Sequence, residues 1–234
     1  MIKYTEGRDA ALLEKILSIV ALSTVLLESS LTTAMPDKNM DGLVFLVNRQ
    51  HAISKHYAPV TRKVIAPGMS QSMREDAAAA LEEMLAAAKA DGIYLDVVSG
   101  YRSYSKQSTI YTRKKNEQGQ EAADRISARP GTSEHQLGMA MDLSKKGSST
   151  LNTRFGETKE GQWVKNNAHR FGFIVRYLEG YEDVTGYMYE PWHVRYVGTE
   201  HAAALYECGL PMEMYMSGFK LEVYDYLIHQ VTNE

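Results

Sequence analysis

Strand-like and helix-like segments follow one another irregularly along this chain, and this irregular order constrains the fold more than any other feature. Segments rich in β-branched and aromatic residues, which are typical of strands, lie at 43–48, 93–99, 138–143, 172–177 and 192–197. Helical patterns lie at 72–90, 105–118, 162–171, 201–207 and 220–229. The regular strand-helix alternation of a parallel sheet is missing. We therefore predict an α+β fold, in which helices pack on a small, mostly antiparallel sheet.

Turn and capping signals set the predicted boundaries of these elements. Ser72 stands three residues before Glu75, the spacing of a capping box, so the first long helix is predicted to begin there. Asp91-Gly92 is predicted to end that helix, because glycine readily adopts the left-handed conformation found beyond helix ends. The polar stretch between Gln118 and Gly131 is predicted to be a loop.

Length and the positions of turn residues predict the domain organisation. The chain has 234 residues, enough for one large hydrophobic core and at most one additional segment. The turn-forming residues at 36–39 are predicted to separate an N-terminal apolar segment, residues 1–40, from a body formed by residues 41–234. We interpret this body as a single catalytic domain.

Charge and cysteine content exclude several classes of function. The formal net charge of -3 provides no basic surface for nucleic acid, so we predict no nucleic-acid partner. Cys208 is the single cysteine, which excludes an internal disulfide bond and a zinc cluster built on cysteines. Any metal ion in this chain would have to be bound by histidine and carboxylate side chains.

The N-terminal segment contains an apolar stretch at 16–27 that is compatible with two interpretations. Its twelve residues are too few to cross a bilayer, which takes about 20, but they match the core of a secretion signal, and small residues follow. The charges before it are balanced, whereas a signal has a positive bias. The stretch is therefore either a signal or anchor, or an ordinary helix packed on the body.

The stretch from Arg129 to Asp142 contains two residues that could bind a metal ion, but their spacing needs explanation. His135 and Asp142 are seven residues apart, so a regular strand would place them on opposite faces. Gly138 and the Pro130-Gly131 start disfavour a helix. We predict that His135 ends the loop and that Gly138 changes the direction of the chain. Asp142 then points inward among apolar neighbours, where a bare charge is costly and a divalent cation would be a suitable partner.

A second segment, Glu190-Pro-Trp-His193, is predicted to complete the metal site. His193 would be the third ligand, and two histidines with one carboxylate leave a tetrahedral zinc ion one open position. Glu190 is predicted to be the general base. Pro191 is predicted to place the two side chains around a turn. Arg102, in Ser99–Gln107, is predicted to bind a substrate carboxylate or a tetrahedral oxyanion.

None of these residues would be informative alone, because single histidines, aspartates and arginines are usually packing or surface residues. The prediction rests on their occurrence together. The remaining histidines belong to no such cluster and are interpreted as structural residues: His51, His56, His169, His201 and His229.

These segments resemble the signatures of the VanY-type D-alanyl-D-alanine carboxypeptidases, which are zinc peptidases related to VanX and VanXY and have a hedgehog-like fold. The matching residues are Ser99–Ser103, Gln107, Ser133-Glu-His135, Asp142, Phe171–Tyr177 and Glu190-Pro-Trp-His193. The resemblance runs from about residue 43 to residue 229. It implies Zn²⁺ on His135, Asp142 and His193, with Glu190 as base and Arg102 stabilising the tetrahedral intermediate. It also implies that Ser133 and Gln107 help to seat the substrate.

The resemblance further implies the reaction and its substrate. The expected activity is hydrolysis of the terminal D-alanine from a peptidoglycan stem peptide or precursor by water that the metal activates. Two alternatives share the metal site, namely an L,D-carboxypeptidase acting on tetrapeptide stems and a D-Ala-D-Ala dipeptidase. A non-catalytic zinc-containing module that binds the cell wall is disfavoured, because such a module would not need Glu190.

The location of the protein follows only indirectly from these expectations. A substrate in the cell wall and the apolar stretch at 16–27 together predict a location in the cell envelope or outside the cytoplasm, with membrane association through that stretch. The balanced charge before the stretch leaves a cytoplasmic location as the alternative.

Overall fold

The structure is a computed structural model that describes residues 42–217. Its helices are α1 (Glu75–Ala90), α2 (Tyr104–Gln118), α3 (Gln120–Ile126), α4 (Lys159–Asn167), α5 (Glu182–Thr185) and α6 (Thr199–Cys208). Its strands are β1 (Arg62–Lys63), β2 (Ser72–Met73), β3 (Leu95–Ser99), β4 (Ala140–Lys145), β5 (Phe173–Tyr177) and β6 (Glu190–Tyr196). Short 3₁₀ turns cover Glu134–Leu137, Thr153–Glu157 and Ala168–Phe171.

The larger sheet has four strands in the order β3-β4-β6-β5, and each neighbouring pair is antiparallel. β1 and β2 form a separate two-stranded antiparallel ribbon. Helices surround these strands without a repeating strand-helix unit. The predicted α+β fold with a small antiparallel sheet is therefore confirmed.

Helix α1 packs on the core along one apolar stripe. Apart from the adjacent pair Ala77 and Ala78, the buried residues of this stripe follow at intervals of three or four, which places them on one face of a helix: Ala77, Ala78, Leu81, Met84 and Ala88. They meet apolar residues of β3 and β4, including Val97, Met141 and Leu143. This packing covers the sheet at the edge strand β3 and at its neighbour β4, which carries Asp142.

The predicted capping box at the start of α1 is wrong. Ser72 belongs to β2, and its carbonyl oxygen accepts a hydrogen bond from the backbone N–H of Tyr101. The helix begins at Glu75, with Arg74 as its cap residue. Asp76 accepts a hydrogen bond from the backbone N–H of Ala77, so an acidic side chain still satisfies one free donor of the first turn.

Two further predictions of local structure are also wrong. Residues 43–48 form no strand, because the guanidinium of Arg195 binds the carbonyl oxygens of Leu43 and Phe45 and replaces strand pairing there. The polar stretch after Gln118 contains helix α3. Gly119, with φ of 85°, separates α3 from α2, and the low apolar content of α3 gives its sequence little helical periodicity.

Gly138 produces the change of direction that the sequence predicted. It adopts a left-handed conformation with φ of 71°, directly after the 3₁₀ turn Glu134–Leu137 and two residues before β4. A Cβ atom at this position would also lie 3.3 Å from the backbone nitrogen of Arg74, so both the conformation and the space favour glycine. His135 lies inside the 3₁₀ turn rather than at the end of a loop.

The N-terminal segment, residues 1–40, and the helix predicted at 220–229 lie outside the described residues. The predicted membrane association through residues 16–27 and the location of the protein therefore remain predictions. Within residues 42–217, no helix is both long enough and apolar enough to cross a membrane.

Candidate metal centre

Asp142 and His193 are brought together by the register of the sheet. They are directly opposite each other on the antiparallel pair β4–β6, so their side chains lie on the same face. Oδ1 of Asp142 is 3.2 Å from Nδ1 of His193. Both side chains are almost completely buried. The strand pairing alone therefore places a carboxylate oxygen beside an imidazole nitrogen in the interior.

His135 reaches the same point from the 3₁₀ turn that precedes β4. Its Nδ1 lies 2.8 Å from the carbonyl oxygen of Gly100, and its Nε2 lies 3.4 Å from Oδ1 of Asp142. Because a carbonyl can only accept, Nδ1 carries the proton and Nε2 is left with its lone pair. The backbone N–H of Arg102 donates to the carbonyl oxygen of His135 and fixes this turn further.

The three side chains have the chemistry and the spacing of a metal site. One ligand atom from each of His135, Asp142 and His193 lies within 4.8 Å of the others. Nε2 of His135 and Oδ1 of Asp142 are buried without a hydrogen-bond partner in the part of the chain that the structure describes. Buried polar atoms without partners are costly, and a cation between them would satisfy both. The residues therefore fit a divalent metal ion.

Electrostatics at the centre differ strongly between the two histidines. Burial and the positive charge of Arg102 lower the pKa of His135 to about 4, although Asp142 acts in the opposite direction. Burial also disfavours the charged form of His193, but the neighbouring carboxylates of Asp142 and Glu134 outweigh this effect and raise the pKa of His193 to about 9. Without a metal ion, a proton on His193 therefore compensates the negative charge of Asp142.

Glu190 lies beside this cluster because β6 is irregular near its start. The register passes from Val175 opposite Val194 to Tyr177 opposite Glu190, so β6 contains two extra residues there. This irregularity lets residues three apart share a face, and Oε2 of Glu190 lies 3.8 Å from Nδ1 of His193. The predicted turn at Pro191 is wrong, since Pro191 lies within β6.

The carboxyl group of Glu190 has the acidity expected of a proton acceptor near neutral pH. Burial disfavours its charged form and raises the pKa of Glu190 to about 7. Asp142 adds to this effect, while His193, Lys114 and Arg102 oppose it. A group with a pKa near the working pH can both accept and return a proton.

The cluster opens into a cleft of about 370 Å³, which the other predicted site residues also line. Ser133 and Gln107 are buried in its wall, and Arg102 reaches it from the segment between β3 and α2. Nε of Arg102 and Oε1 of Gln107 are buried without hydrogen-bond partners among residues 42–217. The amide nitrogen of Gln107 donates to the carbonyl oxygen of Ala128 at 2.6 Å. The side-chain oxygen of Gln107 can therefore accept a hydrogen bond from a bound molecule.

Two charged residues at the site were missed by the sequence analysis. Lys114 lines the cleft, and its ammonium donates to the carbonyl oxygen of Ile126 at 3.0 Å. Glu134, next to His135, is buried against two arginines and His193. Two features of the sequence could have indicated a buried ion-pair network. Glu134 lies inside the histidine motif, and Arg176 and Arg195 lie inside apolar strands.

Comparison with known families gives a match to the body of the chain. A family model described as VanY, D-alanyl-D-alanine carboxypeptidase, matches residues 70–199, which is more than half of the chain. A D-alanyl-D-alanine carboxypeptidase of Enterococcus faecalis (strain ATCC 700802 / V583) is 37% identical over 201 residues. This alignment covers 81% of the present chain and 72% of the relative.

Solved structures with similar folds include peptidases of two specificities. The structure of the LdcB LD-carboxypeptidase matches with a TM-score of 0.73 and 39% identity, over 77% of this chain and 88% of that chain. VanYB in complex with D-alanine-D-alanine matches with a TM-score of 0.66 and 36% identity, over 74% and 97% of the two chains. A VanY variant from a VanB-type resistance cassette, in complex with Zn(II), matches with a TM-score of 0.65 and 36% identity, over 74% and 98%.

Proposed function

Because the chain belongs to the VanY family of D-alanyl-D-alanine carboxypeptidases, we propose that it is a zinc-dependent carboxypeptidase. Its substrate in this proposal is a peptidoglycan stem peptide or precursor, from which it removes the terminal D-alanine. The observation that carries the proposal is the convergence of His135, Asp142 and His193 in the wall of a cleft, with unpartnered ligand atoms on two of them.

In this proposal, His135 and His193 bind Zn²⁺ through Nε2 and Nδ1, respectively, and Asp142 binds it through a carboxylate oxygen. Two neutral imidazoles and one carboxylate form a ligand set typical of catalytic zinc, because they leave a coordination position free. The structure of a VanY variant with Zn(II) supports this choice of metal. When bound, zinc would lower the pKa of a water molecule and polarise the scissile carbonyl.

Glu190 acts as the general base in the proposed reaction. Its carboxylate accepts the proton of the attacking water and afterwards delivers it to the nitrogen of the leaving D-alanine. Oε2 of Glu190 lies 3.8 Å from Nδ1 of His193, which supports a role beside the proposed metal site, and Glu190 does not belong to the group of three proposed ligands. Its side chain is only 13% exposed, which keeps bulk water from competing for the proton.

Gln107 and Ser133 are proposed to seat the peptide beside the metal centre. Because the amide nitrogen of Gln107 is bound to the carbonyl oxygen of Ala128, Gln107 presents an acceptor and would bind a substrate N–H rather than a carboxylate. The hydroxyl of Ser133 can serve as donor or acceptor. The terminal carboxylate of the substrate and the developing oxyanion are then expected to be bound by positively charged groups of the cleft.

Arg102 is expected to act mainly on the oxyanion that develops at the scissile carbonyl. Burial lowers the pKa of Arg102, opposed by Asp142 and Glu190, but a guanidinium remains charged at any working pH. We expect Arg102→Ala to lower kcat by about 10²- to 10³-fold, as loss of an oxyanion donor typically does. Steady-state kinetics on a pentapeptide stem would measure this effect, with Arg113→Ala, on the exposed part of α2, as control.

The division between kcat and KM distinguishes the two roles of Arg102. A group that binds the substrate carboxylate equally in the ground and transition states would raise KM and leave kcat nearly unchanged when it is removed. A pure KM effect would therefore assign Arg102 to the terminal carboxylate. No effect on either constant would show that Arg102 contributes neither to substrate binding nor to the oxyanion.

Zinc binding is expected to depend on pH through His193. In the metal-free protein the pKa of His193 is about 9 and that of His135 is about 4, so near pH 7 only His193 must lose a proton to bind zinc. The apparent affinity should then rise by about tenfold per pH unit between about pH 6 and 8. Competition with a calibrated chelator would measure it.

Glu190 needs a control in that titration because its pKa, about 7, lies in the same range. The slope should persist in Glu190→Gln, because His193 must still lose its proton before it binds zinc. A zinc affinity that does not change with pH in this variant would contradict a protonated His193 in the metal-free protein.

A second candidate function, L,D-carboxypeptidase activity, is favoured by the similarity to LdcB, whose TM-score of 0.73 exceeds the 0.66 of VanYB. Both functions would use the same metal centre. Incubation of the zinc-loaded protein with stem tripeptide, tetrapeptide and pentapeptide, followed by mass spectrometry, decides between them. We expect the pentapeptide to lose one alanine. Loss of alanine from the tetrapeptide alone would establish the L,D-specific reaction, and no cleavage of any stem would refute both candidates.

A further inference from the structure

The imidazole of His193 faces the metal site on one side and a buried ion-pair network on the other. Its Nε2 lies 3.4 Å from Oε2 of Glu134. The other carboxylate oxygen of Glu134 lies 2.7 Å from Nε of Arg176 and 2.9 Å from Nη1 of Arg195. The side chains of Glu134, Arg176 and Arg195 are completely buried. On the side away from the metal site, His193 therefore contacts the carboxylate of Glu134, and Arg176 and Arg195 fix the position of that carboxylate.

The fold explains why these four side chains meet. His193 and Arg195 are two residues apart on β6 and so lie on the same face of the sheet. Arg176 lies on β5, the strand beside β6. Glu134 comes from the same 3₁₀ turn as His135. This short turn therefore contains the proposed metal ligand His135 and, one residue earlier, Glu134, whose carboxylate contacts the proposed ligand His193.

The network extends away from the metal centre and is balanced in charge. Arg176 forms two further hydrogen bonds with Glu213, at 2.7 and 2.9 Å, and the side-chain amide of Asn48 donates to Glu213 at 3.3 Å. The two carboxylates match the two guanidinium groups. Burial acts to raise the pKa of Glu134, but Arg176 and Arg195 hold it well below its ordinary value. The network therefore does not need the metal ion for its own neutrality.

We propose that Glu134 is a positioning residue that fixes the orientation and tautomer of His193 for zinc binding. This inference rests on the zinc site of the proposed function. The Glu134 carboxylate can only accept, so it holds the proton of a neutral His193 on Nε2 and leaves the lone pair of Nδ1 pointing toward Asp142. Its negative charge also increases the basicity of the ligand nitrogen.

The ring nitrogen of His135 that faces away from the metal site has an uncharged partner, so the proposed role of Glu134 is specific to His193. The partner of His135 is the neutral carbonyl oxygen of Gly100. A carbonyl in the backbone cannot be removed by substitution, whereas Glu134 can be replaced by an uncharged amide of almost the same shape. A substitution of Glu134 therefore changes the partner of His193 and leaves the partner of His135 as it is.

The first test is the zinc affinity of Glu134→Gln, measured by competition with a chromophoric chelator on the full-length protein. We expect the affinity to fall by about 10- to 100-fold, the usual effect of losing the partner of a metal-binding histidine. Glu213→Gln is the matched control, because it removes a carboxylate from the same network without touching His193. We expect its affinity to change by less than about threefold.

Thermal unfolding of both metal-free variants separates positioning from general destabilisation. Both changes leave Arg176 with one fewer anionic partner and should lower the melting temperature. If the two variants lose zinc affinity to the same extent, or if Glu134→Gln binds zinc as tightly as the unaltered protein, the inference is wrong. If the unaltered protein does not bind zinc, the proposed function itself fails instead.

A second measurement needs no variant and so does not depend on the folding of Glu134→Gln. Nitrogen-15 NMR of the zinc-loaded, unaltered protein reports the tautomer of each histidine. We expect His193 to carry its proton on Nε2 and to bind zinc through Nδ1, with the opposite arrangement in His135. A proton on Nδ1 of His193, or zinc on its Nε2, would overturn the role of Glu134.

Discussion

Replacing His193 with alanine is expected to abolish both zinc binding and peptidase activity. The change removes one of three proposed ligands and leaves Asp142 and Glu134 facing an empty space without their imidazole partner. Two remaining ligands cannot hold zinc tightly, and without the metal neither the water nor the carbonyl is activated. Metal analysis after gel filtration and an assay of released D-alanine would measure the two losses separately.

A histidine outside the cleft provides the control for this change. His56 is exposed and does not line the cleft, so His56→Ala should bind one equivalent of zinc and retain normal activity. The proposed ligand set would be refuted if His193→Ala still bound one zinc ion per chain with undiminished affinity.

Replacing Glu190 with glutamine is expected to separate catalysis from metal binding. Because Glu190 is proposed to transfer protons and not to bind the metal, the variant should retain zinc. It should lose turnover by about 10²- to 10⁴-fold, the usual contribution of a general acid-base group. The amide has almost the same shape as the carboxylate, so the cleft should be preserved.

Zinc content and kcat of Glu190→Gln would be measured on the same preparation, beside Glu179→Gln, which changes an exposed carboxylate. Loss of zinc from Glu190→Gln would make Glu190 a ligand, and turnover near the normal rate would remove it from the mechanism. A fall in kcat without loss of zinc is the outcome that the proposed roles require.

Much of the metal centre follows from local sequence because its geometry depends on strand pairing and one glycine. Asp142 and His193 both occur in segments predicted as strands, and the structure places them directly opposite each other. The odd spacing between His135 and Asp142 required a break in the chain, and Gly138 supplies it with a left-handed conformation. The structure brings these side chains together, while their chemical roles remain predictions.

The surroundings of the centre could not be predicted because they depend on contacts between distant segments. Arg195 binds the carbonyl oxygens of Leu43 and Phe45, which removes the strand predicted there. Ser72 has the spacing of a capping residue, but it pairs with β1, and its carbonyl oxygen accepts a hydrogen bond from the backbone N–H of the distant Tyr101, so it lies in a strand instead. In both cases, contacts with other segments outweigh the structure that the local sequence favours.

The position of Glu190 shows the same limit within the site itself. The motif indicated that Glu190 and His193 act together, and a turn at Pro191 was the simplest way to bring residues three apart onto one side. The structure achieves this inside β6, through an irregular register with β5. Such an irregularity depends on how the neighbouring strand pairs, so the motif alone could not indicate it.

The central claim is that His135, Asp142 and His193 hold a single zinc ion in the wall of the cleft. Anomalous X-ray diffraction from crystals of the zinc-loaded protein, recorded on both sides of the zinc absorption edge, tests this claim most directly. We expect one strong anomalous peak per chain, within bonding distance of Nε2 of His135, a carboxylate oxygen of Asp142 and Nδ1 of His193. The absence of a peak among these three side chains, or a zinc ion bound elsewhere on the chain instead, would contradict the claim.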